Sequence, residues 1–346
     1  MQPNRREFLR RTAHAVVGMG SLGVLSGAES PGEGRPFSDP ATIPIVDTHQ
    51  HLWDLSKFRL AWLQSAGPLN RSHLVSDYRE AIRGLNVVKA VYMEVNVAPE
   101  QHVAEAEYVV GLCQSGTGPT CAAVIGGRPG DEGFGAYLRR FKGNAYVKGV
   151  RQVLFQALPE KPFFLEPAFV KGVQLLGELG MSFDLCPPAT MLEATIKLVD
   201  QCPATRFILD HCGNADVKVF QAAASRTSSE AAARQVHQWR RDIAKLAERK
   251  NLVCKISGII ASVPKEGWST GDLAPIINHC LDCFGPDRVM FGSDWPVCTR
   301  GATLRRWVEV LQEVVRSRSR QEQCKLFAEN AAGFYGLSRP MASQKP

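Results

Sequence analysis

From residue 43 onward, short apolar runs alternate with segments of helical period. Eight runs stand out: IPIVDTH, VVKAVYMEV, TCAAVIGGR, AYVKGVRQV, MSFDLC, TRFILDH, NLVCKIS and DRVMFGSD. Each is nearly continuous in apolar residues, the pattern of a strand buried on both faces. Between them, SDYREAIRGL, PEQHVAEAEYVVGLC, PAFVKGVQLLGELG, TMLEATIKLVDQC and VHQWRRDIAKLAERK place apolar residues three and four apart, which predicts amphipathic helices. Ser76 is read as the cap of the first helix, and Gly84 and Gly180 as left-handed stops. This alternation predicts a distorted (β/α)8 barrel of the TIM type. A doubly wound open sheet also alternates, but usually carries a glycine-rich phosphate loop after its first strand; here the chain reads DTHQH. Residues 214–235, polar and small, are expected to form an inserted loop after the sixth strand.

Composition changes little in that picture. Hydrophobic residues make up 45% of the 346 and charged residues 22%, ordinary for a globular protein. The formal charge of +7 is concentrated nowhere except Arg5, Arg6, Arg10 and Arg11, so no nucleic-acid footprint is read. The start, NRREFLRR followed by TAHAVVGMGSLGVLSGA, has the order of a twin-arginine export signal. Its apolar stretch is too short and too rich in glycine to span a bilayer. The expected organisation is a signal segment over 1–28, a linker over 29–42, a barrel over 43–338 and a tail over 339–346. A periplasmic or otherwise exported location follows, with no stable membrane anchor. Cys280 and Cys283 beside His279 form a lone C-x-x-C in a helical pattern and are read as packed thiols.

In such a barrel, chemistry sits at the C-terminal ends of the strands. Ionisable or polar residues stand there: His49 and His51, Glu94, Arg128, Arg151, His211, Ser257 and Asp294. Strand side chains alternate, so His49 and His51 share a face and can converge on one ion or one substrate atom. Asp47 and Asp210 are placed on the opposite alternation from the histidines, in supporting roles. Lys255 and Ser257 share a face and are given a structural role. Trp53, Trp62 and Trp295 either line a sugar-sized pocket or pack at the barrel rim.

The stretches DTHQHLWDLSKFRLAWL, VKGVRQVLF, RFILDHCGNAD, CKISGI and VMFGSDWPV, with LFAENAAGFYGL near the end, resemble the amidohydrolase-related group of the amidohydrolase superfamily. The similarity is closest to its sugar-lactonase and pyrone-dicarboxylate-lactonase branch. The resemblance implies a barrel enzyme that opens a lactone. It makes Asp294 the general base and later proton donor, and His211 a catalytic partner. His49, His51 and Asp294 would bind one divalent metal, zinc first, or act without any metal. Arg151 and Glu94 would contact substrate, Trp53 and Trp295 would line its pocket, and Glu94 could equally orient an arginine. The fifth strand, FDLCPPA, lacks a histidine or lysine, and Lys148 adjoins Gly149, so a bridged two-metal centre is not expected. The alternatives are a decarboxylase or hydratase of the same group, marked by Arg128 as a second carboxylate clamp, and a non-catalytic carbohydrate-binding barrel. The partner is a small molecule, and self-association stays open.

Overall fold

The computed structural model describes residues 43–155, 160–225, 229–264 and 266–338. The expected signal segment, linker and tail lie outside these residues. Eight strands run β1 Ile45–Gln50, β2 Val87–Met93, β3 Thr120–Gly126, β4 Val147–Val153, β5 Ser182–Cys186, β6 Arg206–Leu209, β7 Leu252–Ile256 and β8 Val289–Phe291. They lie in chain order in one sheet, each parallel to the next. With the intervening helices packed outside, this is the (β/α)8 barrel that the alternation predicts.

The interior explains the apolar runs. Along β2, Val91 and Met93 face the axis with Val46, Ala122, Val124 and Met290, while Ala90 and Tyr92 face the helices. Burial on both faces leaves no polar alternation to read. Ala328, Ala331 and Tyr335 from the C-terminal helical segment pack against this axial cluster and close its lower end.

The seam between β8 and β1 has no regular ladder. It is closed by Asp294 N–H donating to His49 O at 2.8 Å and His51 N–H donating to Trp295 O at 2.8 Å. Thr48 Oγ1 adds a bond to Phe291 O at 2.6 Å. The carboxylate of Asp47, fully buried, accepts from Ser293 N at 2.7 Å, Ser293 Oγ at 2.5 Å, Tyr78 OH at 2.7 Å and His49 N at 3.1 Å.

Two expectations are corrected. The first helix, Val75–Ala81, begins one residue before Ser76, and Asp77 caps it by accepting from Leu74 N–H at 2.8 Å. The described part of 214–235 is largely helical, in Val217–Ala224 and the start of Glu230–Ala247. Asp216 and Ser229 cap these helices, and the alanine-rich EAAAR stretch has high intrinsic helix propensity. The two helices meet where Phe220 packs edge-on against Trp239 at 5.2 Å. Gly84 and Gly180 do adopt positive φ, +73° and +71°. Cys280 is buried within the helix Thr270–Phe284, as expected, with Cys283 half-buried. Among the described residues no helix is long and apolar enough to cross a membrane.

One buried acid lies outside the site. Glu105, on the helix His102–Ser115, accepts from Tyr92 OH at 2.9 Å and Val95 N at 2.8 Å. Burial, and then the neighbouring Glu94 carboxylate, push its pKa from 4.5 up to about 8. Between those values the unfolded chain releases a proton that the folded chain keeps, so stability falls as pH rises. Glu105→Gln abolishes this loss. Urea unfolding at pH 5 and pH 8 is expected to show the variant gaining on the native protein by more than ~1 kcal/mol across that interval.

Candidate active site

The ends of β1, β6 and β8 deliver the three imidazoles and Asp294. Strict alternation would give Asp47 the same face as His49 and His51, since it lies two and four residues before them. The register of β1 on β2 shifts between Asp47 and Gln50. Asp47 therefore turns to Tyr78 and the seam, while both imidazoles turn inward. The expected separation is present, but an irregular strand produces it, not the alternation.

Asp294 is the point of convergence. Its Oδ1 lies 3.2 Å from His51 Nε2, 3.7 Å from His49 Nε2 and 4.0 Å from His211 Nε2. The other ring nitrogens are each fixed from behind. His51 Nδ1 meets Met93 O at 2.9 Å, His49 Nδ1 meets Asp210 Oδ1 at 3.4 Å, and His211 Nδ1 meets Ser257 Oγ at 3.0 Å. The backbone is strained where it presents two of these groups. His211, Cys212, Gly213 and Asn214 all have φ between 53° and 66°, and Asp294 has φ 58°. For residues other than glycine this conformation costs about 1–3 kcal/mol each, sustained by the surrounding contacts. Burial lowers the pKa of His49 far and that of His211 less, so both rings are neutral near pH 7.

Beneath the imidazoles lies a buried charged floor. Arg151 Nε donates to Glu94 Oε1 at 2.6 Å, Nη2 to Glu94 O at 2.7 Å, and Nη1 faces His49 Nε2 at 3.2 Å. Lys255 Nζ lies 2.5 Å from Asp184 Oδ2 and 3.2 Å from Asp210 Oδ1, all three side chains fully buried. Burial opposes the charge on Lys255, but Asp184 and Asp210 more than offset it and hold the amine protonated. Lys148 has Cys121 and Arg206 as its electrostatic neighbours, away from the histidines.

A cavity of about 480 Å³ opens above this floor, lined by His51, His211, Asp294, Arg151, Trp62 and Phe155 among others. Arg128 also reaches its wall. Trp53 and Trp295 do not line it. Trp53 is buried against Trp62 and His73, and Trp295 against His73 and Tyr78, so both take the packing role. Glu94 is spent on Arg151 and on Asn96 N–H at 2.6 Å, which makes it the orienting acid. Sequence reasoning missed Asn96, Asn214 and Arg300 on the wall. Arg300 follows Asp294 by six residues in SDWPVCTR, but nothing local separates it from a surface arginine.

The amidohydrolase family model matches residues 46–337. The chain belongs to that family. It is therefore an enzyme of the hydrolytic kind, and the non-catalytic barrel is set aside. Over 303 residues it is 26% identical to an L-fucono-1,5-lactonase of Burkholderia multivorans, covering 85% of this chain and 97% of the relative. An uncharacterized protein of Sinorhizobium fredii is also 26% identical, over 312 residues, covering 85% of this chain and 98% of the relative. A solved amidohydrolase from Burkholderia multivorans with bound zinc superposes with a TM-score of 0.72 at 24% identity, covering 85% of this chain and all of the other.

Gly258 is a sensitive point of this amidohydrolase site. It has φ +68°, and a Cβ there would fall 2.2 Å from His211 Nδ1. Gly267 has φ +73° with nothing within 4 Å of its Cβ position. Gly258→Ala is expected to lower hydrolytic activity more than about tenfold by displacing the His211 ring, a misplacement effect. Gly267→Ala, with the same backbone strain, is expected to keep native turnover. Rates and melting temperatures of the two variants side by side check this.

Proposed function

We propose that the protein hydrolyses a lactone, a cyclic ester of sugar size, using water activated by Asp294. The observation that carries this is one carboxylate oxygen facing three imidazoles at a cavity wall, within 3.2–4.0 Å. The L-fucono-1,5-lactonase relative supports the substrate class. The decarboxylase reading finds Arg128 on the cavity wall as it requires, but the relative named above favours ester opening.

The residues fit a single divalent ion. His51 Nδ1 faces a carbonyl oxygen at 2.9 Å and so carries its hydrogen. Its Nε2 then turns a lone pair toward Asp294 Oδ1 at 3.2 Å. Two acceptors in contact need a proton or a cation between them. His49, His51 and Asp294 are the residues that would hold zinc, and the zinc-bearing relative supports that choice. When bound, such an ion polarises the carbonyl and makes a coordinated water more acidic.

The protein's own groups divide the remaining work. Asp294 takes the proton of the attacking water and returns it to the ring oxygen as the ester opens. Ser257 Oγ accepts from His211 N–H at 3.2 Å, which leaves its hydroxyl hydrogen for His211 Nδ1. His211 is then the neutral tautomer with Nε2–H toward the cavity, a donor for the developing oxyanion. Arg151, braced by Glu94, stands beside His49 and faces the same cavity. We also infer export by the twin-arginine route, on the NRREFLRR segment alone.

Asp294→Asn is expected to lower kcat about 10³-fold on aldonolactones, followed by proton release, with little change in melting temperature. Elemental analysis should find about one zinc per chain in the native protein and a clear loss in the variant. Native protein that opens no lactone, or a variant with native kcat, contradicts the proposal.

A further inference from the structure

The cavity wall carries three guanidinium groups, Arg128, Arg151 and Arg300, against one carboxylate, Asp294. The charge of Arg151 is answered inside the wall by Glu94 at 2.6 Å and Asp210 at 3.6 Å. Among the described residues, the side chains of Arg128 and Arg300 make no hydrogen bond and no ion pair. Exposed arginines elsewhere on the chain often find a carboxylate: Arg59 meets Glu100, Arg71 meets Asp77, and Arg318 meets Asp282. Arg128 is half-buried, so its unanswered charge sits where desolvation is felt, while Arg300 is exposed at the mouth.

Resting on the lactonase reading, we propose that the substrate is an acidic lactone, one that bears a free carboxylate besides its ester. Arg128 binds that carboxylate, and Arg300 draws the anion in from the mouth. A guanidinium offers a planar pair of donors that matches a carboxylate, and an uncompensated positive rim raises the encounter rate of an anion. The carboxylate is not the one created by hydrolysis. That group forms beside Asp294, beyond β8, whereas Arg128 follows β3, with β1 and β2 between them in the barrel order. The remaining wall serves a compact polar ring. Asn96 offers an amide, Asn214 its amide oxygen, since its nitrogen donates to Pro187 O at 2.7 Å, and Trp62, Phe155 and Val297 offer apolar faces.

The test compares lactones that differ only in the far group: D-galactono-1,4-lactone with D-galactaro-1,4-lactone, and D-glucono-1,4-lactone with D-glucaro-1,4-lactone. The native holoenzyme is expected to favour the acidic member by at least about tenfold in kcat/KM, mainly through KM, with the advantage shrinking as salt rises. Arg128→Met should bring the acidic-to-neutral ratio to about one, and Arg128→Lys should restore part of it, a readout that a merely structural loss would not give. Arg300→Met should flatten the salt dependence. Neutral lactones opened as well as acidic ones, or a ratio unmoved by Arg128→Met, overturns this inference and leaves the lactonase reading intact. If no lactone of either kind is opened, the lactonase reading fails and takes this inference with it.

Discussion

The site depends on one buried carboxylate that does not itself line the cavity. Asp47 joins the first strand to the segment after the last, across 246 residues of chain, through the backbone and hydroxyl of Ser293. It also ties that seam to Tyr78 on the first helix. Hydrogen bonds to a charged acceptor are stronger than neutral ones, and Asp47 accepts four. Without a regular β1–β8 ladder, this cluster and two backbone bonds set the distance between the histidine pair and Asp294. The catalytic geometry is therefore a property of how the barrel closes. The positive φ of Asp294 is held by the same contacts, since its own N–H donates to His49 O.

Charge is layered along the barrel axis. The floor holds Glu94, Asp184 and Asp210 against the fixed cations Arg151 and Lys255. Carboxylates outnumber fixed cations there, which suits a bound cation or a shared proton next to His51. The wall above carries the opposite excess, in Arg128 and Arg300. An anion entering from the mouth thus meets arginine first, and the reacting carbonyl comes to rest over the side chains able to move a proton. Lys255 sits between two aspartates under His49, where a second metal would otherwise have to balance the charge. This fits a centre with one ion and agrees with the lack of a bridging lysine on β4.

The strands were legible because each is a run of apolar residues buried on both faces, and the strand-end histidines and Asp294 stood out as polar groups closing such runs. What was not legible depended on direction. Trp53 and Trp295 flank the motif residues, but whether an indole faces a cavity or a helix is set by tertiary packing. Asp47 was given the right side for the wrong reason, since the register shift that turns it has no local signature. The helix of 217–224 and the first turns of that of 230–247 were hidden by small side chains that read as loop until their capping residues are considered. Arg300 reaches the cavity from the short 3-10 helix Val297–Arg300 and Asn96 from the irregular segment after β2, where no periodicity marks either residue.

The central claim is that Asp294 acts on water and does not itself attack the ester. Single turnover of an accepted lactone in oxygen-18 water, followed by mass spectrometry of product and protein, tests it most directly. One heavy oxygen is expected in the new carboxylate of the first product molecule, with none in its hydroxyl and none in Asp294. An unlabelled first product, with the heavy oxygen found in the Asp294 carboxylate, would contradict it.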